Sequence, residues 1–216
     1  MIKNIIFDND GVLVDTEKLF FQACRQTLEH IGVELTLEAY LDVSLRQGKS
    51  CMILAEKIGY THAQIQQLRL DRDVTYRELL NSSVTMLAGV QNVLDALYGK
   101  ICMGVVTSSP RLHFDIIHAQ TGIAPYFNFV YAQEDFTRLK PFPDPYLLAL
   151  EKQHLRADET IVIEDTERGL ASALAAGIRC IVVPTEISRG CEFKGAFRIL
   201  DRIDEIVDIV TENESA

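Results

Sequence analysis

The sequence contains no apolar run that approaches the roughly 18 residues needed to cross a membrane. Basic charge does not predominate either, because 31 Asp and Glu residues stand against 21 Lys and Arg, a formal net charge of −10. General binders of nucleic acid or of anionic membranes expose a basic face, so this balance argues against both. Met1 is followed directly by a strand-like segment and not by a signal peptide, which predicts a cytoplasmic protein.

No CxxC pair is present among the cysteines, which are odd in number and scattered along the chain. They are Cys24, Cys51, Cys102, Cys180 and Cys191. Such a set predicts free thiols in a reducing compartment and excludes a disulfide framework or a zinc site. The motifs GxGxxG, GxSxG and HExxH are also absent. Gly48-Lys49-Ser50 matches the last three residues of the P-loop motif, but the first glycine of that motif would fall at Val43, so the motif is incomplete.

Short runs of β-branched and apolar residues recur along the chain and predict buried strands. They lie at residues 2–7, 101–106, 129–131, 160–163 and 180–183. Helical patterns lie between them, including an Ala-rich stretch that stops at Gly177. The alternation predicts an α/β fold, a three-layer α/β/α arrangement around a Rossmann-like, doubly wound parallel sheet.

The alternation is interrupted after the first strand, because residues 16–83 show only helical patterns separated by glycines. We therefore predict a catalytic core formed by residues 1–15 and 84–216, and an inserted all-helical domain formed by residues 16–83. Residues 201–216 are predicted to form a short acidic helix with a frayed tail.

Two carboxylates, Asp8 and Asp10, follow the first strand in the segment Asp8-Asn9-Asp10-Gly11. The carboxyl end of a central parallel strand is where α/β folds place their chemistry, and paired carboxylates serve both metal binding and acid–base catalysis. A hairpin turn at Asp10-Gly11 is the simpler alternative. A calcium loop is rejected, because its first ligand position would be Ile6 and a strand precedes it.

A second acidic pair, Glu164-Asp165, follows another apolar strand and precedes the Ala-rich helix. Acidic residues at this point can simply cap the helix. Two strand ends with carboxylates in one sheet, however, favour a site for a hard cation such as Mg²⁺.

Hydroxyl groups and a lysine follow the remaining strands. Thr107, Ser108 and Ser109 precede a helix that begins near Pro110, so they offer hydroxyls and amides to an anion. Lys140 lies in a proline-rich segment just before the next predicted helix, and the prolines restrict the backbone there. A lysine held in this way can neutralise a phosphoryl oxygen. The simpler interpretations are that the hydroxyl residues only cap the helix and that the lysine is a solvated surface residue.

In this order, the four motifs resemble those of the haloacid dehalogenase-like (HAD) hydrolase superfamily. They are Asp8-Asn9-Asp10-Gly11-Val12-Leu13-Val14-Asp15, Thr107-Ser108, Lys140-Pro141 and Glu164-Asp165. The resemblance covers essentially the whole chain and is closest to the phosphatases and β-phosphoglucomutase-like enzymes with a helical cap, because the insert falls where these enzymes carry theirs. Leu139 departs from the pattern, since many relatives have glycine before the lysine.

The resemblance implies a Mg²⁺-dependent phosphatase that acts on a small phosphorylated metabolite such as a sugar phosphate. Asp8 would be the nucleophile that forms an aspartyl-phosphate, and Asp10 the general acid and base. Asp8, the main-chain carbonyl of Asp10 and Asp165 would hold Mg²⁺ with help from Glu164, while Thr107 and Lys140 would stabilise the phosphoryl group. Ser108 is a further candidate for substrate binding. Many relatives are monomers, which is the expectation here.

The same resemblance separates alternatives within the family. Dehalogenases lack the second aspartate and use no Mg²⁺, which argues against dehalogenation. Phosphomutases carry a histidine where this chain has Phe20, and an arginine where it has Cys51. Both differences favour a phosphatase, although Arg46 or Lys49 could supply the cation that binds substrate. A regulatory protein on an inactive scaffold is the remaining alternative, and the intact catalytic residues argue against it.

Overall fold

The structure is a computed structural model that describes residues 1–211. Its centre is a six-stranded sheet in the order β3-β2-β1-β4-β5-β6, in which every pair of neighbours is parallel. The strands are β1 (Asn4–Phe7), β2 (Cys102–Val106), β3 (Phe129–Tyr131), β4 (Thr160–Glu164), β5 (Arg179–Val182) and β6 (Arg198–Ile199). Helices flank the sheet, which confirms the predicted three-layer α/β fold.

The helices account for most of the remaining chain. They are α1 (Glu17–Glu29), α2 (Leu37–Tyr40), α3 (His62–Ser83), α4 (Val90–Leu97), α5 (Arg111–Thr121), α6 (Asp144–Lys152), α7 (Glu167–Ala175) and α8 (Ile206–Thr211). A π-helical turn at Leu41–Arg46 and a 3-10 segment at Cys51–Ile58 lie between α2 and α3. Within residues 1–211, no helix is both long and apolar enough to cross a lipid bilayer.

Contacts divide the chain into two compact units. One consists of Met1–Asp15 and Thr85–Ala216, and the other of Thr16–Val84. The elements of the second unit, from α1 to α3, are all helical among the described residues. It has its own apolar core, in which Leu28, Tyr40 and Met52 are completely or almost completely buried.

The sheet is built from apolar segments because it is covered on both faces. All four residues of β1 are buried, and β1 lies between β2 and β4 in the middle of the sheet. One face packs against α6 and α7, where Ile6 and Val162 join Tyr146 and Leu170 in a single apolar cluster.

Strand β6 was not expected from the sequence, and two predicted elements have different bounds. Strand β6 has two residues, Arg198 and Ile199, both exposed at the sheet edge, so no apolar run marks it. The predicted strand at residues 180–183 instead spans Arg179–Val182, and the C-terminal helix begins at Ile206. The predicted frayed tail lies outside the described residues.

Candidate active site

The motif residues meet at the carboxyl edge of the sheet. Asp8 follows β1, Thr107 follows β2, and Glu164 ends β4. The register aligns Phe7 with Val105 on one side and with Ile163 on the other, so the three strand ends lie side by side. The strand order runs from β1 through β2 to β3 on one side and from β4 through β5 to β6 on the other, so the edge between β1 and β4 is the topological switch point where open α/β sheets bind ligands.

Lys140 joins two of these strand ends. Its Nζ donates hydrogen bonds of 2.6 Å to Asp8 Oδ1 and 2.6 Å to Glu164 Oε1. A third bond of 2.9 Å runs to the carbonyl oxygen of Val106, at the end of β2. The Lys140 side chain is only 5% exposed, against 13% for Asp8 and 1% for Glu164. All three donor positions of the ammonium group are therefore used inside the protein, which fixes its place.

Glu164 is held from two further directions. Tyr146 in α6 donates a hydrogen bond of 2.6 Å from its hydroxyl to Glu164 Oε1, and its ring centroid lies 4.9 Å from the Lys140 ammonium group. Gly169 in α7 leaves room for the carboxylate, because a Cβ atom at this position would lie 1.8 Å from Glu164 Oε2. Neither Tyr146 nor Gly169 was identified from the sequence, since no local motif marks them.

Three carboxylates lie close enough to share a cation. Oxygen atoms of Asp8, Glu164 and Asp165 all lie within 4.8 Å of one another. The backbone makes room for Asp165, because Gly11 has φ +81° and a Cβ atom there would lie 2.2 Å from Asp165 Oδ2. Clustered carboxylate oxygens are the donors that Mg²⁺ prefers. The residues present therefore fit this ion.

Asp10 is engaged on the β2 side of the site. Ser109 donates a 2.8 Å hydrogen bond from its hydroxyl to Asp10 Oδ2, and the Thr107 hydroxyl lies 3.4 Å from the same oxygen. The Ser109 amide in turn donates to Thr107 Oγ1 at 3.0 Å. The sequence pointed to the hydroxyls of this loop as an anion site, but the partnership of Ser109 with Asp10 comes from the structure. The buried hydroxyl of Ser108 has no hydrogen-bond partner among the described residues.

The electrostatics of the site are set by burial and by the shared lysine. Burial raises the pKa of Asp8 to about 7, and the nearby Glu164 and Asp10 add to the rise, while Lys140 opposes it. Burial alone would lower the pKa of Lys140, but the carboxylates of Asp8 and Glu164 outweigh it and raise this pKa above its ordinary value. Lys140 therefore remains an ammonium ion. An unperturbed aspartate has a pKa of about 3.9, so burial makes Asp8 harder to ionise than a free aspartate.

The two remaining candidates, Arg46 and Lys49, belong to the helical unit. Arg46 ends the π-helical turn, and Lys49 lies in the loop that follows, where its amide donates to the carbonyl oxygen of Val43 at 2.9 Å. Both side chains are exposed. The other predicted site residues, from Asp8 to Asp165, all belong to the unit that contains the sheet.

Comparison with known proteins agrees with this geometry. A family model described as haloacid dehalogenase-like hydrolase matches residues 5–183. Protein CbbY of Rhodobacter capsulatus is 31% identical over 212 residues, which cover 93% of each chain. The fructose-1-phosphate phosphatase YqaB of Escherichia coli is 30% identical over 181 residues, which cover 83% of this chain and 95% of YqaB. A crystal structure of mutant CbbY from Rhodobacter sphaeroides in complex with xylulose-1,5-bisphosphate is 25% identical, with a TM-score of 0.83, and the match covers 95% of this chain and 96% of that one. The chain therefore belongs to the haloacid dehalogenase-like hydrolases, in their branch of phosphatases and β-phosphoglucomutase-like enzymes.

Proposed function

We propose that this chain is a Mg²⁺-dependent phosphomonoesterase that acts on a small phosphorylated metabolite of the sugar-phosphate kind through an aspartyl-phosphate on Asp8. The observation that carries the proposal is the buried ammonium group of Lys140, shared at 2.6 Å by Asp8 and Glu164, beside the carboxylate of Asp165. A nucleophile, a fixed positive charge and a cation-binding cluster are thus present at one edge of the sheet.

The reaction begins with attack of the Asp8 carboxylate on phosphorus, which forms the aspartyl-phosphate and releases the alcohol. Lys140 holds Asp8 Oδ1 and so orients the carboxylate, and its charge offsets the negative charge that accumulates on the phosphoryl group. Asp10 gives a proton to the leaving oxygen and later takes one from the water that hydrolyses the intermediate. The Ser109 hydroxyl, 2.8 Å from Asp10 Oδ2, orients that carboxyl group.

Mg²⁺ would be held by Asp8, Asp165 and the main-chain carbonyl of Asp10, with Glu164 contributing directly or through water. When bound, the ion would bring the two anions together and neutralise charge on the phosphoryl oxygens. Because Oε1 of Glu164 already accepts hydrogen bonds from Lys140 and Tyr146, its first role in this proposal is to hold the lysine.

Thr107 and Ser108 are proposed to bind the phosphoryl oxygens. The Ser108 hydroxyl supports this role, since a buried polar atom with no partner is suited to receive a ligand oxygen. Residues 16–84 are proposed to act as a cap that selects the substrate, with Arg46 and Lys49 as its cationic contacts. The chain is further proposed to be a monomer in a reducing compartment, and its five free cysteines support the reducing compartment.

The names of the relatives favour a sugar phosphate as substrate. YqaB is named as a fructose-1-phosphate phosphatase, and CbbY was crystallised with xylulose-1,5-bisphosphate. A β-phosphoglucomutase-like activity is the second candidate, supported by a 26% identical structure of a β-phosphoglucomutase-like protein from Thermotoga maritima with a TM-score of 0.76. Phe20 argues against it, because its ring packs against Tyr76 and offers no imidazole.

A phosphate-release screen over sugar phosphates and other phosphomonoesters tests the proposal, with Mg²⁺ or with EDTA. We expect release that requires Mg²⁺ and is abolished in Asp8→Asn, whereas Asp115→Asn, an exposed carboxylate of α5, retains full activity. Full turnover by Asp8→Asn would contradict the proposal. Conversion between hexose phosphates, stimulated by a bisphosphate and with little release of phosphate, would favour the phosphomutase.

A further inference from the structure

Asn9 separates the two catalytic aspartates and is completely buried. Its main-chain carbonyl accepts hydrogen bonds from the amides of Val12, Leu13 and Val14, at 3.3, 2.8 and 3.2 Å. These bonds close the tight turn that leads away from β1. The position of Asn9 therefore determines where the backbone of Asp8 and Asp10 lies.

The side chain of Asn9 is held from α5. His118 Nε2 lies 2.7 Å from Asn9 Oδ1, and His118 Nδ1 lies 2.9 Å from Thr121 Oγ1. Since an amide oxygen only accepts hydrogen bonds, Nε2 carries the proton and donates it to Asn9, while Nδ1 accepts from the Thr121 hydroxyl. The His118 ring is 4% exposed and packs on Phe114 at a centroid distance of 4.2 Å. Burial lowers the pKa of His118 to about 4, so the ring is neutral at neutral pH.

This polar contact has a cost that apolar side chains would avoid. The Nδ2 atom of Asn9 is buried and has no hydrogen-bond partner among the described residues. A buried amide with an unused donor lowers the stability of the folded protein relative to an apolar side chain of the same shape. Packing alone therefore gives no reason for an asparagine and a histidine at this place. The position of the contact, directly behind the two aspartates, suggests a reason that concerns the site.

We propose that His118 is a positioning residue for phosphoryl transfer, which it serves by holding the Asn9 side chain and through it the turn that carries Asp8 and Asp10. The inference rests on the proposed function, in which Asp8 and Asp10 must be aligned for phosphoryl transfer. A displacement of about 1 Å at a reacting group can cost about 100-fold in rate, so a single buried hydrogen bond at this point matters.

Four variants separate positioning from plain stability. His118→Phe removes both ring nitrogens, and His118→Gln restores an amide donor near the place of Nε2. Asn9→Leu removes the acceptor, and the double variant Asn9→Leu/His118→Phe replaces the polar pair by apolar side chains. The measurements are kcat and KM with para-nitrophenyl phosphate and Mg²⁺, the melting temperature, and amide hydrogen exchange at residues 12–14.

We expect His118→Phe to lower kcat about tenfold with KM changed less than about twofold, since alignment and not binding is lost. Exchange at residues 12–14 rises in the same variant, while the amides of β4 stay protected. His118→Gln recovers most of kcat. The double variant regains melting temperature, because no buried polar group is left unpaired, but its kcat stays as low as that of the single variants.

Two results would overturn the inference. One is a folded His118→Phe protein with the wild-type kcat or with unchanged exchange at residues 12–14. The other is a double variant in which kcat returns together with the melting temperature, because this result would show that the two residues contribute only to stability. If the wild-type chain releases no phosphate from any phosphomonoester, the proposed function fails. Hydrogen exchange then decides by itself whether His118 holds the turn.

Discussion

The two compact units differ in their balance of acidic and basic residues and in where charged side chains are buried. The unit that contains the sheet carries 22 acidic and 13 basic residues, whereas residues 16–84 carry nine and eight. In the first unit, the carboxylates at the strand ends are brought together around one buried lysine. In the second, the partly buried Arg72 lies over the ring of Phe20, and the interior is otherwise mainly apolar.

This difference shows that the global charge describes neither site nor partner. The net charge of −10 argues against a nucleic acid or an anionic membrane as partner, but it does not reveal that the carboxylates of Asp8, Glu164 and Asp165 form a cluster suited to a cation, with Lys140 positively charged beside them. Strand ends in a parallel sheet are fixed by the ladder on both sides, so they can hold like charges together. We expect chemistry to fail when the first unit is altered, and substrate preference to change when the second is.

The largest effect is expected from Lys140→Met. It leaves the buried carboxylates of Asp8 and Glu164 without their cation, which costs on the order of 3–5 kcal/mol of stability. We expect kcat to fall about 1,000-fold or more, because charge stabilisation and orientation of the nucleophile are both lost. Turnover and the melting temperature are measured beside Lys100→Met, which removes an exposed lysine of the same unit. Activity within tenfold of wild type would show that Lys140 serves packing alone.

Gly169→Ala should be the next most damaging change. The added Cβ would lie 1.8 Å from Glu164 Oε2, so the carboxylate that holds Lys140 must move. A drop of about 100-fold in kcat is expected, since the nucleophile then loses its alignment. Gly190→Ala is the matched control, because a Cβ there has no neighbour within 4 Å. Equal kcat in the two variants would contradict the role given to Glu164.

A third prediction concerns acid stability. An unfolded histidine binds a proton below about pH 6.5, but the pKa of folded His118 is about 4, so between these values the unfolded state binds more protons. Stability therefore falls as pH drops from 6.5 to 4, by about 3 kcal/mol from this residue.

Asp8 acts in the opposite direction in the metal-free protein. Its pKa is about 7 in the folded state and about 3.9 unfolded, so its contribution to stability falls as pH rises through that window. Urea unfolding is therefore measured in an Asp8→Asn background, with and without His118→Phe. Between pH 6.5 and 4, the first protein should lose about 3 kcal/mol more stability than the second, because only the first contains His118. Equal slopes would refute a neutral buried histidine.

The smallest effect is expected in the helical unit. If Arg46 and Lys49 bind the substrate as proposed, Arg46→Met and Lys49→Met should raise KM for sugar phosphates severalfold, about 1 kcal/mol each, because each variant would lose a charged hydrogen bond to the substrate. Neither should change the melting temperature or the turnover of para-nitrophenyl phosphate, whose small aryl group offers these cations little to bind. Lys57→Met, another exposed lysine of this unit, serves as control. A loss of kcat for both substrates would contradict the assignment of chemistry to the first unit and of substrate preference to the second.

Much of the fold could be predicted from the sequence because buried parallel strands are continuous apolar runs. The segments around Ile5, Val105 and Ile163 were identified in this way, and their carboxyl ends indicated which polar side chains meet. Strand β6 was missed for the same reason, since Arg198 and Ile199 are both exposed and their pairing with β5 is the only sign of the strand. The π-helical turn at Leu41–Arg46 likewise has no local pattern.

The sequence by itself indicated the α/β class and the family, and it singled out Asp8, Asp10, Thr107, Lys140, Glu164 and Asp165 as site candidates, because each stands in a short motif and all but Lys140 lie at or near the end of an apolar strand. Only the tertiary structure decided which side chains hold them. Ser109 lies 99 positions from Asp10, and His118 lies 109 positions from Asn9. A hydrogen bond depends on a distance of about 3 Å in space, and packing of helices on the sheet, not separation along the chain, sets that distance.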